Sequence, residues 1–137
     1  MATRHQARMA VVSLLYAYDL GNRDIKDFSD DILEEKKIRN RQRDFALDLF
    51  EGVVDKLEPI DIAIAKHLKD WDFDRLGSIE RATLRLGAYE ILFTPLDTPV
   101  VINEAIEVAK AFGSEQSPKF INGVLDSISK DDELERA

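Results

Sequence analysis

The segment Ser78–Phe93 (SIERATLRLGAYEILF) constrains the fold more than any other part of the chain. Ile79, Ala82, Leu86, Tyr89 and Phe93 recur at helical spacing along one side, and Leu84, Ala88 and Ile91 form a second apolar stripe nearly opposite. A helix that is apolar on two sides has to be covered on two sides. This one is therefore expected to be the most buried, lying between two halves of a helical pack. Gly87 inside it costs about 1 kcal/mol relative to Ala, but it lets a neighbouring helix come close. Ser78 is expected to cap the helix after a connector at Asp72–Gly77, and Thr94–Asp97 to end it.

The most heavily punctuated stretch is Asp97–Ser127 (DTPVVINEAIEVAKAFGSEQSPKFINGVLDS). Thr98 suits an N-cap and Pro99 a first helical position, where the missing N–H costs nothing. Val101, Ala105, Val108 and Phe112 then follow at helical spacing, and Gly113 supplies a stop that tolerates positive φ. Ser117–Pro118 repeats the cap-and-proline start, with Ile121, Val124, Leu125 and Ile128 as the next apolar stripe. These residues predict a helical hairpin.

The remaining segments predict helices to cover the central one. Thr3 can cap a helix running to about Leu20 and closed by Gly21–Asn22, with Ala7, Ala10, Val11, Leu14, Ala17 and Tyr18 as its core stripe. His5, Met9, Val12 and Tyr16 fall on the other side, with Arg8 beside them. That second strip requires either another helix of the same domain or a partner such as RNA, with arginine on phosphate and tyrosine stacked on a base. Residues 24–36 suggest a short amphipathic helix with Ile25, Phe28 and Ile32 inward and its acids hydrated. A helix from Arg41 to Leu57 carries Phe45, Ala46, Leu49, Phe50 and Val53. Glu58–Pro59 restarts the pattern, and Ile60, Ala63, Ile64 and Leu68 lead inward to Trp71. No strand alternation and no internal repeat is visible. The expectation is an all-α chain of six or seven helices forming one domain, residues 1–137.

Composition narrows function. With 45% hydrophobic and 34% charged residues, the chain reads as an ordinary soluble helical protein. It has no apolar run of about 18 residues to cross a bilayer and no signal-peptide pattern, and the absence of cysteine suits a reducing cytoplasm. Nothing resembles a phosphate loop, HExxH or GxSxG, and the carboxylates sit on hydrophilic faces, so no catalytic residues and no cofactor are expected. His67, in a chain with only two histidines, no cysteine and no spaced carboxylate–histidine pattern, reads as a surface or packing residue and not a metal ligand. The net charge of −8 opposes nonspecific nucleic-acid binding by the whole surface and suits a basic protein partner. Charge is nevertheless uneven. Arg4, His5 and Arg8 precede the first acid at Asp19, and Lys36, Lys37, Arg39, Arg41 and Arg43 form a basic run that reads as a solvated loop and first helical turn.

Four stretches carry a resemblance. INEAIEVAKAFG with SPKFINGVLD closely resembles the C-terminal signature of the NusB family of bacterial transcription antitermination factors. The run from Arg4 to Tyr16 (RHQARMAVVSLLY), the block from Trp71 to Leu92 (WDFDRLGSIERATLRLGAYEIL) and the spacing onward to Pro99 match the same family in order. The resemblance implies two small helical bundles packed across each other. It also implies a partner, the ribosomal protein NusE, with which boxA single-stranded RNA of ribosomal RNA transcripts is bound. Further Nus factors and RNA polymerase then assemble for read-through of terminators. Carried over by position, Arg4, His5 and Arg8 would meet boxA phosphates, Lys119 and Phe120 would extend the RNA surface, and Tyr16 would lie where RNA and NusE adjoin. Asp74 and Glu80 would face NusE.

The departure is at the N-terminus, where two arginines and a histidine stand in place of a denser arginine cluster. Few phosphate contacts imply weak RNA binding by the chain alone and tight, selective binding only beside NusE. Alternatives from other classes are a helical adaptor that binds protein without RNA, and a helix-turn-helix DNA reader using residues 117–129. The latter has only Lys119 and Lys130 as bases, with Asp126 between them. A NusB-like accessory domain of an RNA methyltransferase would need a cofactor-binding domain after the hairpin. An exposed Val12–Tyr16 strip could also be covered by a second copy of the chain, giving a homodimer in the absence of partners.

Overall fold

The structure, a computed structural model, describes residues 1–69, 72–112 and 117–137, apart from the Ser117 side chain. Among these residues every regular element is helical: α1 (Arg4–Asp19), α2 (Ile25–Glu35), α3 (Asn40–Asp55), α4 (Leu57–Lys66), α5 (Ser78–Phe93), α6 (Thr98–Ala111) and α7 (Ser117–Ser129). A single 3-10 turn, Phe73–Arg75, precedes α5. Helices α1, α2 and α3 pack on one another as one bundle, and α5, α6 and α7 as a second, with α4 against α5. Helix α5 also touches α1 and α3, so it is the wall the two bundles share.

Both stripes of α5 are used. Ala82, Leu84, Leu86, Ala88, Ile91 and Leu92 are all buried, while Ile79, Tyr89 and Phe93 at its margins are half-buried. Gly87 faces α7, and a Cβ built there would lie 2.7 Å from Leu125 Cδ1. Leu125 is itself fully buried, so it has nowhere to retreat. Ile121, Val124, Leu125 and Ile128 are buried along α7, as the spacing predicts.

Local chemistry accounts for the ends of α1. Thr3 and Gln6 form a reciprocal capping box, with the Gln6 N–H donating to Thr3 Oγ1 at 3.1 Å and the Thr3 N–H donating to Gln6 Oε1 at 2.8 Å. After the C-terminal turn, Gly21 takes φ of 105°, which an L side chain rarely adopts.

Several expectations shift. Phe28 points to solvent at 56% exposure, because the inward line of α2 is Ile25, Ser29 and Leu33 at four-residue spacing. Val12 is fully buried, so a helix of the same chain covers the second side of α1, and of Val12 and Tyr16 only Tyr16 reaches the surface. Helix α5 starts at Ser78 with Gly77 as its cap, and α6 starts at Thr98 with Asp97 as its cap, each one residue before the expected cap. Trp71, and the stop at Gly113, lie outside the described residues.

The Gly87 contact sets an expectation for stability. Gly87→Ala gains about 1 kcal/mol of helix propensity but overpacks Leu125, at a cost of about 1–3 kcal/mol. Urea denaturation should show a net loss in the wild-type background and a gain when Leu125→Val has removed the obstructing methyl groups. A gain in both backgrounds would show that α7 is not packed closely on Gly87.

Candidate nucleic-acid interface

The two ends of α1 are built differently. At its N-terminal end Arg4 is exposed, and its guanidinium carbon lies 4.4 Å from the centre of the Phe45 ring on α3. Arg8 reaches the same ring at 5.1 Å, but it is buried at 5% exposure. Its guanidinium donates twice to Glu90 of α5, Nε to Oε1 at 2.9 Å and Nη2 to Oε2 at 3.1 Å. Glu104 of α6 lies 3.8 Å from Arg8 Nη1 and 3.1 Å from His5 Nδ1. Glu90 and Glu104 therefore set two negative charges against the two positive charges of Arg4 and Arg8.

Glu90 is 1% exposed. Burial raises its pKa above the ordinary value, and Arg8 offsets this only in part. A carboxyl with a raised folded-state pKa holds its proton more tightly folded than unfolded, so its ionised form opposes folding at neutral pH. Arg8 offsets that opposition.

The C-terminal end of α1 is tied down by a second network. Asp19 accepts from Arg81 Nε at 2.9 Å and from Arg85 Nη1 at 3.1 Å, while Arg85 also donates twice to Asp61 of α4, at 2.9 Å each. Burial lowers the Arg85 pKa, but Asp61 and Asp19 outweigh it and leave the value raised. Arg81 Nη1 donates in addition to the Phe73 carbonyl at 3.3 Å, which fixes the 3-10 turn beside α1. Tyr16, at 37% exposure, lies about one helical turn before Asp19. Asp74 is exposed on the turn, and Glu80 is half-buried in the first turn of α5, folded back towards Gly77. Tyr16, Asp74 and Glu80 thus stand on segments that Arg81 joins.

Lys119 is exposed in the first turn of α7, and Phe120 is half-buried against the core. Helices α1 and α7 do not pack on each other; both lie on α5 and α6. The structure thus brings Arg4, His5 and Arg8 together, leaves Lys119 and Phe120 on a different helix, and directs Arg8 inward to Glu90. His67 meets the Asp131 carboxylate at 2.7 Å, and Lys66 meets the same oxygen at 2.7 Å, clasping the C-terminal segment to α4. Lys66 holds the Asp131 pKa well below the usual carboxylate range.

Sequence reasoning missed Glu90 and Glu104 as partners. A signal for Glu90 was present: an acid set among Gly87, Ala88, Ile91 and Leu92 on a doubly apolar helix must be paired if it is buried.

The chain is an all-helical protein of two packed bundles that share a central helix, with charged groups at both ends of α1. The NusB family model matches residues 5–130. The transcription antitermination protein NusB of Sulfurimonas denitrificans is 75% identical over 131 residues, covering 96% of this chain and 99% of that protein. NusB of Nitratiruptor sp. is 66% identical, covering 96% and 94% respectively. A solved structure of T. maritima NusB superposes with a TM-score of 0.81 at 36% identity, covering 95% of this chain and 92% of that one. A crystal structure of the antitermination factors NusB and NusE with double-stranded RNA gives a TM-score of 0.81 at 33% identity, covering 93% and 96%. The chain belongs to the NusB family, whose members are non-catalytic transcription antitermination proteins.

The buried pair makes a sharp stability prediction. Arg8→Ala strands Glu90 and should cost about 3–5 kcal/mol, whereas replacing both members by apolar residues (Arg8→Met with Glu90→Leu) should cost far less. Equal losses for the single and double variants in chemical denaturation would show that the charges are not coupled.

Proposed function

We infer that the chain is a transcription antitermination factor that binds boxA RNA of nascent ribosomal RNA transcripts together with NusE. With other Nus factors it lets RNA polymerase read through terminators, and it acts in the cytoplasm without a cofactor. The whole chain serves as one RNA-binding domain. The observation that carries this reading is its relationship, over nearly its full length, to transcription antitermination proteins NusB, together with its likeness to a NusB crystallised with NusE and double-stranded RNA.

The assigned residues enter with different weights. Arg4 and Lys119 are exposed cations suited to phosphate. His5 adds a half-exposed ring, and Phe120 a half-buried one, for contact beside them. Arg8 acts from beneath, holding Glu90 and so setting α1 on α5. Tyr16, Asp74 and Glu80 form the face for NusE, where acidic groups suit a basic partner. A second reading, an adaptor that binds protein without RNA, is favoured by one observation: Glu90 and Glu104 already engage Arg8 and His5.

A gel shift with NusE present separates the two readings. The wild-type chain should shift boxA RNA and not point-mutated boxA, and should bind more weakly without NusE. Arg4→Ala with Lys119→Ala should lower boxA affinity at least about ten-fold, the worth of one charge-assisted contact, while leaving NusE binding intact. An adaptor would bind NusE and give no boxA shift with any variant.

A further inference from the structure

With Arg8 paired internally, the N-terminal turns of α1 offer an RNA strand little net positive charge. The molecule carries more unpaired charge elsewhere. A groove of about 1270 Å³ runs between α1 and the segment joining α2 to α3, and ends at Phe112, where α6 stops. Its α1 wall is the face of Gln6, Met9, Ala10 and Ser13, turned away from Glu90. The opposite wall is the basic run. Lys36, Lys37 and Arg41 are exposed and make no ion pair with any described carboxylate, whereas Arg39 meets Glu34 at 2.8 Å and Arg43 lies 3.7 Å from Asp30.

The turn that carries this wall is shaped by the end of α2. Lys37 takes φ of 61° where the Ile38 N–H donates to the Leu33 carbonyl at 2.9 Å and the Lys37 N–H to the Glu34 carbonyl at 3.0 Å, a left-handed helix closure, and Asn40 takes φ of 57°, which asparagine tolerates. Gln42 lines the groove, and its Oε1 is buried there with no hydrogen-bond partner among the described residues. Gln42 is only half-buried, so its amide can turn into the groove and meet a ribose 2′-hydroxyl or a base edge.

We propose that this groove holds a stretch of single-stranded RNA, its phosphates on Lys36, Lys37 and Arg41 and a sugar or base donor on Gln42. The proposal rests on the RNA-binding reading above and places much of the electrostatic contact on the joining segment. The occupant follows from charge: the body carries a net charge of −8, so a cluster of unpaired cations selects a polyanion, and Phe112 at the end of the groove offers a ring to a base. The groove also reaches from the start of α1 to the end of α6, so one strand laid in it would run from the Arg4 end towards the α6–α7 junction.

The test measures anisotropy of a fluorescent single-stranded boxA RNA against the full chain with NusE, over a range of salt. Lys36→Gln, Lys37→Asn and Arg41→Gln together should lower affinity at least ten-fold and reduce the slope of log K against log salt by about 2, at roughly 0.7 per phosphate lost. Asparagine is chosen at position 37 because it tolerates positive φ. A control triple at Lys26, Lys69 and Lys130, each to Gln, removes the same formal charge away from the groove and should leave the slope unchanged. Wild-type binding with an unchanged slope in the groove triple, or an equal fall in the control, overturns the groove and leaves the RNA-binding reading standing. No binding by the wild-type chain beside NusE overturns both.

Discussion

A carboxylate buried in the wall between two helical bundles has to be matched or the wall fails, and Glu90 is that carboxylate. The partner is Arg8, from the opposite bundle, delivered by a helix whose start is fixed by the Thr3–Gln6 capping box. Buried pairs add little net stability once desolvation is counted, whereas breaking one leaves an uncompensated charge in a dry layer. A slip of α1 along α5 would leave two charges unpaired in a dry layer. At the other end of the same helix, Asp19 meets Arg81 and Arg85. Since residue 8 pairs with 90 while 19 pairs with 81 and 85, α1 is pinned antiparallel to α5 at both ends.

This pinning divides the surface of α1. Its N-terminal turns lie near Glu104 and Phe45 and border the groove faced by the basic segment. Its C-terminal turns present Tyr16 next to the 3-10 turn and the first turn of α5. One rigid helix therefore sets the spacing between the face proposed for RNA and the face proposed for NusE. The acidic body between them suits a protein that should engage a polyanion at one place only. Nonspecific adsorption of nucleic acid along the remaining surface is disfavoured by charge.

Much of the architecture could be read from spacing. The double stripe of α5 reports its place between bundles, because apolar side chains on opposite sides have no other use in water. The α7 stripe and the capped start of α1 are equally local signals. What could not be read is which distant residue answers a given side chain. The strip containing Arg8 and Val12 left two possibilities open, a helix of the same chain or RNA. Val12 turns inward, and Arg8 follows because Glu90 waits there. Phe28 misled for a related reason: Ser29 and Leu33 continue the inward line from Ile25, and a serine whose hydroxyl bonds the Lys26 carbonyl can occupy a buried position that hydropathy would assign to phenylalanine. The cap shifts at Gly77 and Asp97 have a simple origin, since adjacent residues in each pair are both acceptable caps. The basic run reads as a solvated loop in sequence, and only folding shows that it faces α1 across a groove.

Both bundles depend on α5 as a common wall, so this helix cannot open while either bundle stays closed. Native-state hydrogen exchange read amide by amide tests it most directly. The amides from Leu84 to Leu92 should exchange only through global unfolding, with the free energy found by denaturation. Exchange of those amides through a cheaper opening, with α1 or α7 still protected, would contradict it.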